Sequence, residues 1–175
     1  MPESTRAGAV VTRIRRLFRK AENVKQYGDI NALILDLVSL LRDEAMRRNI
    51  YIRTELTSNP LRVQMDPVQI QQVLLNLAMN GMDSMAEVTN RPRELIIRSG
   101  TDGSALTVQV EDRGTGLPPE VAERMFDAFF TTKPNGLGMG LSISRSIIED
   151  HDGHLWATAK EPFGTMFQFT IPIQS

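Results

Sequence analysis

Apolar side chains recur at three- and four-residue steps in four stretches of the chain and at two-residue steps between them, which predicts helices joined by strands. Residues 9–25 carry Val10, Ile14, Leu17, Ala21 and Val24 on one stripe, with Arg13, Arg15, Arg16, Arg19 and Lys20 filling much of the remainder. That basic face is either a solvated surface or the flank of a helix whose apolar stripe meets a partner helix. A break at Gly28 and Asp29 precedes a second helix, from Ile30 or Asn31 to Arg48, with Leu33, Ile34, Leu37, Val38, Leu41 and Ala45 on one face. Residues 51–57 alternate as a strand, Ser58–Pro60 turn it, and 61–65 follow as a second short strand. Asp66 as N-cap and Pro67 at the first helical position open a helix over 67–86 that turns Ile70, Val73, Leu74, Leu77 and Ala78 inward. Strands at 94–99 and 105–111 flank a hairpin loop, and a helix at 140–151 leads into strands at 154–160 and 165–172.

One stretch fits none of these periods. Phe129–Leu141, FFTTKPNGLGMGL, holds two aromatics, two hydroxyls, Lys133 and three alternate glycines, Gly136, Gly138 and Gly140, directly before an apolar helical pattern. Glycines let a backbone approach a ligand closely, and a helix N-terminus offers free N–H groups to phosphate. The segment therefore reads as a glycine-hinged lid over a nucleotide's phosphates, or as a plain flexible loop capped by a helix. A P-loop needs lysine and a hydroxyl residue straight after the last glycine, whereas Leu141 follows here; a dinucleotide fingerprint needs a strand before its glycines. Neither template fits.

Two further groups bear polar chemistry. Asn76, Asn80 and Asp83 share one stripe of the 67–86 helix, beside its apolar one, although asparagine is a mediocre helix former. They are boundary amides bonded to neighbouring loops, or oxygen ligands for a hard cation such as Mg²⁺. Asp112 ends a strand and is followed by Gly114, Gly116 and Leu117; a carboxylate there either caps a tight turn or accepts a hydrogen bond from the exocyclic amine of adenine.

Composition narrows the field. At 175 residues the chain has enough length for one domain with a real core, and its net charge of -1 gives no broad electrostatic case for nucleic acid or an anionic membrane. The absence of cysteine removes disulfides, thiolate metal sites and thiol nucleophiles. No apolar run approaches a membrane span and no signal-peptide core is present, so a cytoplasmic domain is expected.

Taken in order, Asn76 and Asn80, Asp112 with Gly114 and Gly116, Phe126 with Phe129 and Phe130, and Gly136, Gly138 and Gly140 resemble the motifs of the histidine-kinase ATP-binding domain, a family sharing the Bergerat fold with gyrase B, Hsp90 and MutL. The resemblance covers residues 29–173, and the wording from Met125 to Gly153 is most similar to the nitrogen-regulation, dicarboxylate-sensing and oxygen-sensing branch. It implies an α+β fold, a two-layer α/β sandwich whose mixed, mainly antiparallel sheet contains all six strands above, covered by three helices on one face. It implies ATP and Mg²⁺ as cofactors. Asn80 matches the metal-binding asparagine, and Asn76 lies one turn earlier near the phosphates with Asp83 one turn later. Asp112 matches the adenine-reading aspartate, with Gly114, Gly116 and Leu117 beside it. Phe129, Phe130, Thr131 and Thr132 border the lid, and Gly136, Leu137, Gly138, Met139, Gly140 and Leu141 wrap the phosphates. Lys133 is the nearest lysine for the γ-phosphate, a point-charge role that suits it, and Gly164 with Thr165 matches the family's final glycine motif.

Departures from the family pattern matter equally. Many relatives carry a basic residue where Asp83 stands, so positive charge on the phosphates must come from elsewhere, Lys133 being the candidate. Hydrolytic relatives place a glutamate base where Asn76 stands. The family's phospho-acceptor is a histidine on a separate dimerisation domain, followed by an acidic residue and usually a proline; this chain has only His151 and His154, and neither has that context. His151, at a helix end before Asp152 and Gly153, is explained by the helix dipole and a terminating glycine. Residues 1–28 are then expected to be a helical stub or linker from the dimerisation domain and 29–175 the ATP-binding domain, with that domain and a downstream response-regulator receiver as partners. The isolated chain would be a monomer and the parent protein a homodimer. Because asparagine cannot accept a proton from water, the purified chain is predicted to hydrolyse ATP poorly by itself; vigorous steady-state phosphate release would overturn this.

Overall fold

The computed structural model describes residues 25–58, 62–131 and 140–173. The helix expected over 9–25 and residues Thr132, Lys133, Gly136, Leu137, Gly138 and Met139 lie outside that set. The first described element is a strand that the sequence reading passed over: β1, Gln26–Asp29, runs antiparallel to β3, Arg62–Met65, with Gln26 opposite Met65 and Asp29 opposite Arg62. These two form their own ribbon, which corrects the expectation that 61–65 joins the main sheet. Gly28 and Asp29 read as a break, so β3 had no visible partner. In fact a Cβ on Gly28 would stand 3.4 Å from the Met65 side chain, and Asp29 caps the next helix.

That helix, α1 (Ile30–Arg47), begins where Asp29 Oδ1 accepts the Asn31 N–H at 2.9 Å. It buries Ile30, Ile34, Leu37, Leu41 and Ala45, the stripe that its periodicity predicts. Asn49, at φ 58°, takes the left-handed turn asparagine tolerates and sends the chain into β2 (Ile50–Glu55). After β3, the Asp66 carboxylate accepts from the N–H groups of Val68 and Gln69, at 3.0 and 3.2 Å, and opens α2 (Pro67–Ser84).

The remaining strands are β4 (Arg93–Thr101), β5 (Ala105–Asp112), β6 (His154–Ala159) and β7 (Thr165–Pro172), in a five-stranded sheet ordered β2-β4-β5-β7-β6. Only β2 and β4 are parallel, because β3 and α2 form the crossover between them; hairpins and returns make the rest antiparallel. Alternation puts Leu106, Val108 and Val110 of β5 on one face with Phe167, Phe169 and Ile171 of β7 and Leu95 and Ile97 of β4. α1, α2 and α4 (Gly140–Asp150) cover that face, giving the expected two-layer α+β architecture. The opposite face carries ion pairs: Arg98 reaches Glu55 at 2.8 Å and Glu111 at 2.6 Å, and Arg53 reaches Glu94 at 3.2 Å. A short helix, α3 (Pro119–Arg124), which buries none of its residues, was not anticipated.

His151 closes the helical layer. Fully inside the protein, it accepts the Asp66 N–H on Nε2 at 2.9 Å and meets the Ile147 carbonyl with Nδ1 at 2.7 Å, so Nδ1 is the protonated nitrogen. The end of α4 is thereby tied to the start of α2. The turn itself is made by Asp152 at φ 60°, not by the glycine after it. Gly153 serves another purpose: a Cβ there would overlap the Thr170 carbonyl oxygen on β7. Gly153→Ala is therefore predicted to cost about 2–4 kcal/mol of stability. The single tryptophan, Trp156 on β6, can report it in urea unfolding, and an unchanged midpoint would contradict the close approach.

Candidate functional site

The polar group buried most consequentially is Asp112, the last residue of β5, 3% exposed and in register with Leu95. Strand alternation points it to the helix-covered side, in line with Leu106, Val108 and Val110, so a carboxylate ends a row of core aliphatics. Backbone donors make this tolerable: Oδ1 accepts from Gly114 N–H at 2.8 Å and Thr165 N–H at 3.3 Å. Three glycines let the surrounding chain come close enough. A Cβ on Gly81, in the last turn of α2, would stand 2.7 Å from Leu95 Cδ1 and 3.4 Å from Asp112 Cβ; one on Gly114 would overlap the Ser84 hydroxyl, and one on Gly164 would overlap the Asp112 carbonyl oxygen. Gly164 also has φ 100°, closed to other residues at little cost.

Burial pushes the Asp112 carboxyl up to about 6, while the Gly114 N–H, the Ser84 hydroxyl and the Thr165 N–H draw it back and the neighbouring Glu111 charge raises it further. Ser84 Oγ also donates to the Gly81 carbonyl at 2.8 Å, and its one hydrogen can turn to either acceptor. Arg91 fastens the turn from outside, donating to the carbonyls of Arg113 at 3.0 Å and Gly114 at 2.7 Å with its guanidinium 3.8 Å over the Phe163 ring. The loops before Gly116 and Gly164 are thus held together by one side chain. Gly116 contributes its backbone freedom, at φ 96° with open space around it, and Leu117 packs on the core.

α2 presents the second group. Asn76, 9% exposed, donates through Nδ2 to Ser144 Oγ at 3.2 Å and to the Gly140 carbonyl at 3.3 Å, joining α2 to the first turn of α4. Asn80 follows one turn later, half-buried, on the same stripe. Asp83 faces elsewhere in part: its carboxylate pairs with Arg48 at 2.7 Å, and Arg48 is held in turn by Glu44 at 2.6 Å. Gly140 opens α4 with Leu141 packed on the core behind it. Past α3, Phe129 is 73% exposed at φ 68°, Phe130 lies under Arg124 at 4.7 Å, and Thr131 is exposed. Gly81, Ser84, Arg91, Phe163 and Ser144 are site neighbours that the sequence reading missed. A glycine inside a helix, unfavourable by about 1 kcal/mol against alanine, was a usable signal for Gly81.

Because the folded chain holds a proton on Asp112 that the unfolded chain releases near the ordinary aspartate value, stability attributable to this group is present at acid pH and declines as pH rises through about 6. Relative to Asp112→Asn, the parent chain is predicted to lose on the order of 2–3 kcal/mol between about pH 4 and pH 7. Urea midpoints of both proteins across that range test it, and parallel curves would refute it.

The family model for histidine kinase-, DNA gyrase B-, and HSP90-like ATPases matches residues 65–175, which contain Asn76, Asn80, Asp112 and all the glycines of the site. Sensor protein TdiS of Thauera aromatica is 38% identical over 169 residues, 95% of this chain and 31% of its own length. The nucleotide-free catalytic domain of histidine kinase ThkA superposes with a TM-score of 0.76 at 36% identity, over 85% of this chain and 95% of that one. ThkA in complex with response regulator protein TrrA aligns at a TM-score of 0.73 and 32% identity, covering 99% of this chain and 49% of that one. The chain spans about a third of the length of the curated relatives it matches. With the family model matching more than half of the chain and the two-layer fold shared with the ThkA catalytic domain, the chain belongs to the family of histidine kinase-, DNA gyrase B-, and HSP90-like ATPases.

Proposed function

We propose that this is the ATP-binding catalytic domain of a sensor histidine kinase, which binds Mg-ATP and hands the γ-phosphoryl group to a histidine on a separate dimerisation domain. The observation that carries the reading is the Asp112 carboxylate, buried and, among the described residues, bonded to backbone donors through Oδ1. Its other oxygen suits an amine donor on a flat, apolar ligand edge, and adenine has that donor. Asn80, with Asn76 beside it, would hold Mg²⁺ through an amide oxygen. Among the described residues no cluster of three or more His, Asp or Glu side chains could hold a metal, so phosphate oxygens and water would complete the shell, as Mg²⁺ prefers. When bound, the ion supplies charge neutralisation on the phosphates. The chain's own work is to fix the base at Asp112, to present amide oxygens from α2, and to bring phosphate against the N-terminal end of α4 at Gly140.

Lys133 is assigned to the γ-phosphate, and Gly136, Leu137 and Gly138 to the lid, by resemblance. Neither histidine here is suited to accept the phosphoryl group. His151 has both ring nitrogens engaged, and His154 lies opposite Thr170, five residues or about 17 Å along the strands from the Thr165 end where Asp112 sits. Residues 1–28 are assigned to a stub or linker from the dimerisation domain by resemblance, and Gln26–Asp29 at its end pair with β3. The TrrA complex of ThkA supports a response-regulator receiver as downstream partner, and a cytoplasmic setting suits ATP. No helix among the described residues is long and apolar enough to cross a membrane.

Calorimetric titration with ATP and ADP, with and without Mg²⁺, tests the site. Asn80→Ala is predicted to lose metal-dependent ATP binding about tenfold or more while keeping ADP, and Asp112→Asn to weaken both nucleotides about tenfold or more. Parent-like binding by both variants would sink the assignment. Acid-labile phosphohistidine on an added dimerisation domain would establish transfer; acid-stable phosphoserine or no transfer would favour a serine kinase or a nucleotide sensor.

A further inference from the structure

Ser144 takes no part in the proposed chemistry, yet it is completely buried at the contact between α2 and α4. Its hydroxyl donates to the Gly140 carbonyl one turn earlier, at 2.8 Å, a back-bond common for serine inside helices. That commits its only hydrogen, so toward Asn76, 3.2 Å away, Oγ acts as an acceptor. The Gly140 carbonyl, 3.3 Å from the same amide nitrogen, is an acceptor as well. Two acceptors on one edge of a planar amide admit only its NH2 there. The carbonyl edge, Asn76 Oδ1, must then face the other way.

We infer that Ser144 is a positioning residue that fixes the polarity of the Asn76 amide, so that α2 offers an oxygen, never a nitrogen donor, to the cation and its water shell. The inference rests on the proposed placement of Mg²⁺ beside Asn76 and Asn80. An asparagine is symmetrical in shape but opposite in charge at its two ends, and a side chain free to rotate would spend part of its time offering N–H groups to a cation. Ser144 removes that state before any ligand arrives. The same contact anchors the first turn of α4, so the oxygen and the helix N-terminus keep a fixed relation. A cation and the phosphates it bridges both need that relation.

The test is calorimetric binding of ATP with Mg²⁺ and of ADP without it, to the 175-residue chain and its variants. Ser144→Ala leaves Asn76 with the longer Gly140 contact alone and is expected to weaken Mg-ATP about three- to tenfold, while metal-free ADP stays within about twofold. Ser144→Thr keeps a hydroxyl able to bond the carbonyl one turn back and is expected to restore Mg-ATP binding to within about twofold. Equal losses for both ligands, no loss for either, or failure of threonine to rescue would overturn the inference. Should the alanine variant not fold, Ser144→Cys, of similar volume but a poor acceptor, is expected to show the same split. Absence of any Mg²⁺ effect in the parent chain would instead count against the metal placement itself.

Discussion

A carboxylate placed where an aliphatic side chain belongs is the constraint from which the rest of this structure follows. Isolated burial of a charge costs several kcal/mol unless donors are supplied, and Asp112 obtains them from backbone that must come very near: the turn at Gly114 and the start of β7 at Thr165. Each approach needs a residue without a Cβ. Gly81 brings the helix down onto the strand end, Gly114 clears Ser84, and Gly164 clears the Asp112 carbonyl. The glycines around Asp112 thus let helix, turn and strand close on the end of β5 together, at Leu95, Ser84 and the Asp112 main chain.

Around that point the sheet and helices divide the labour. The sheet fixes the carboxylate, because β5 lies between β4 and β7 and cannot shift without breaking two ladders. α2 carries the amides, and its own register is set at the N-terminus by the Asp66 cap. Arg91 joins the two loops flanking Asp112, through hydrogen bonds to the main-chain carbonyls of Arg113 and Gly114 on one side and the Phe163 ring on the other, a pairing that no local residue pattern encodes.

The sequence was most legible where a period or a cap set the local structure. The helices at 30–47, 67–84 and 140–150 and the strands of the main sheet were read nearly to the residue, since amphipathic stripes and the Asp66–Pro67 start are local signals. Asn76 and Gly140 meet directly, and Asp112 lies against the last turn of α2 at Gly81. β1 escaped because its four residues bear no alternation and owe their conformation to β3, a partner more than thirty residues away. α3 escaped because it buries nothing. Ser144 escaped for a different reason: serine in an amphipathic helix is unremarkable until the residue across the interface is known. Asp152 shows the same limit, holding the left-handed turn that the adjacent glycine was expected to make.

His151 ties the last turn of α4 to the first of α2, and Ser144 ties the first turn of α4 to the middle of α2. A helix fastened at both ends does not pivot on its own. The two walls of the site are thus expected to open as one cooperative unit, so that damage at the histidine end reaches the amide end through loss of that unit.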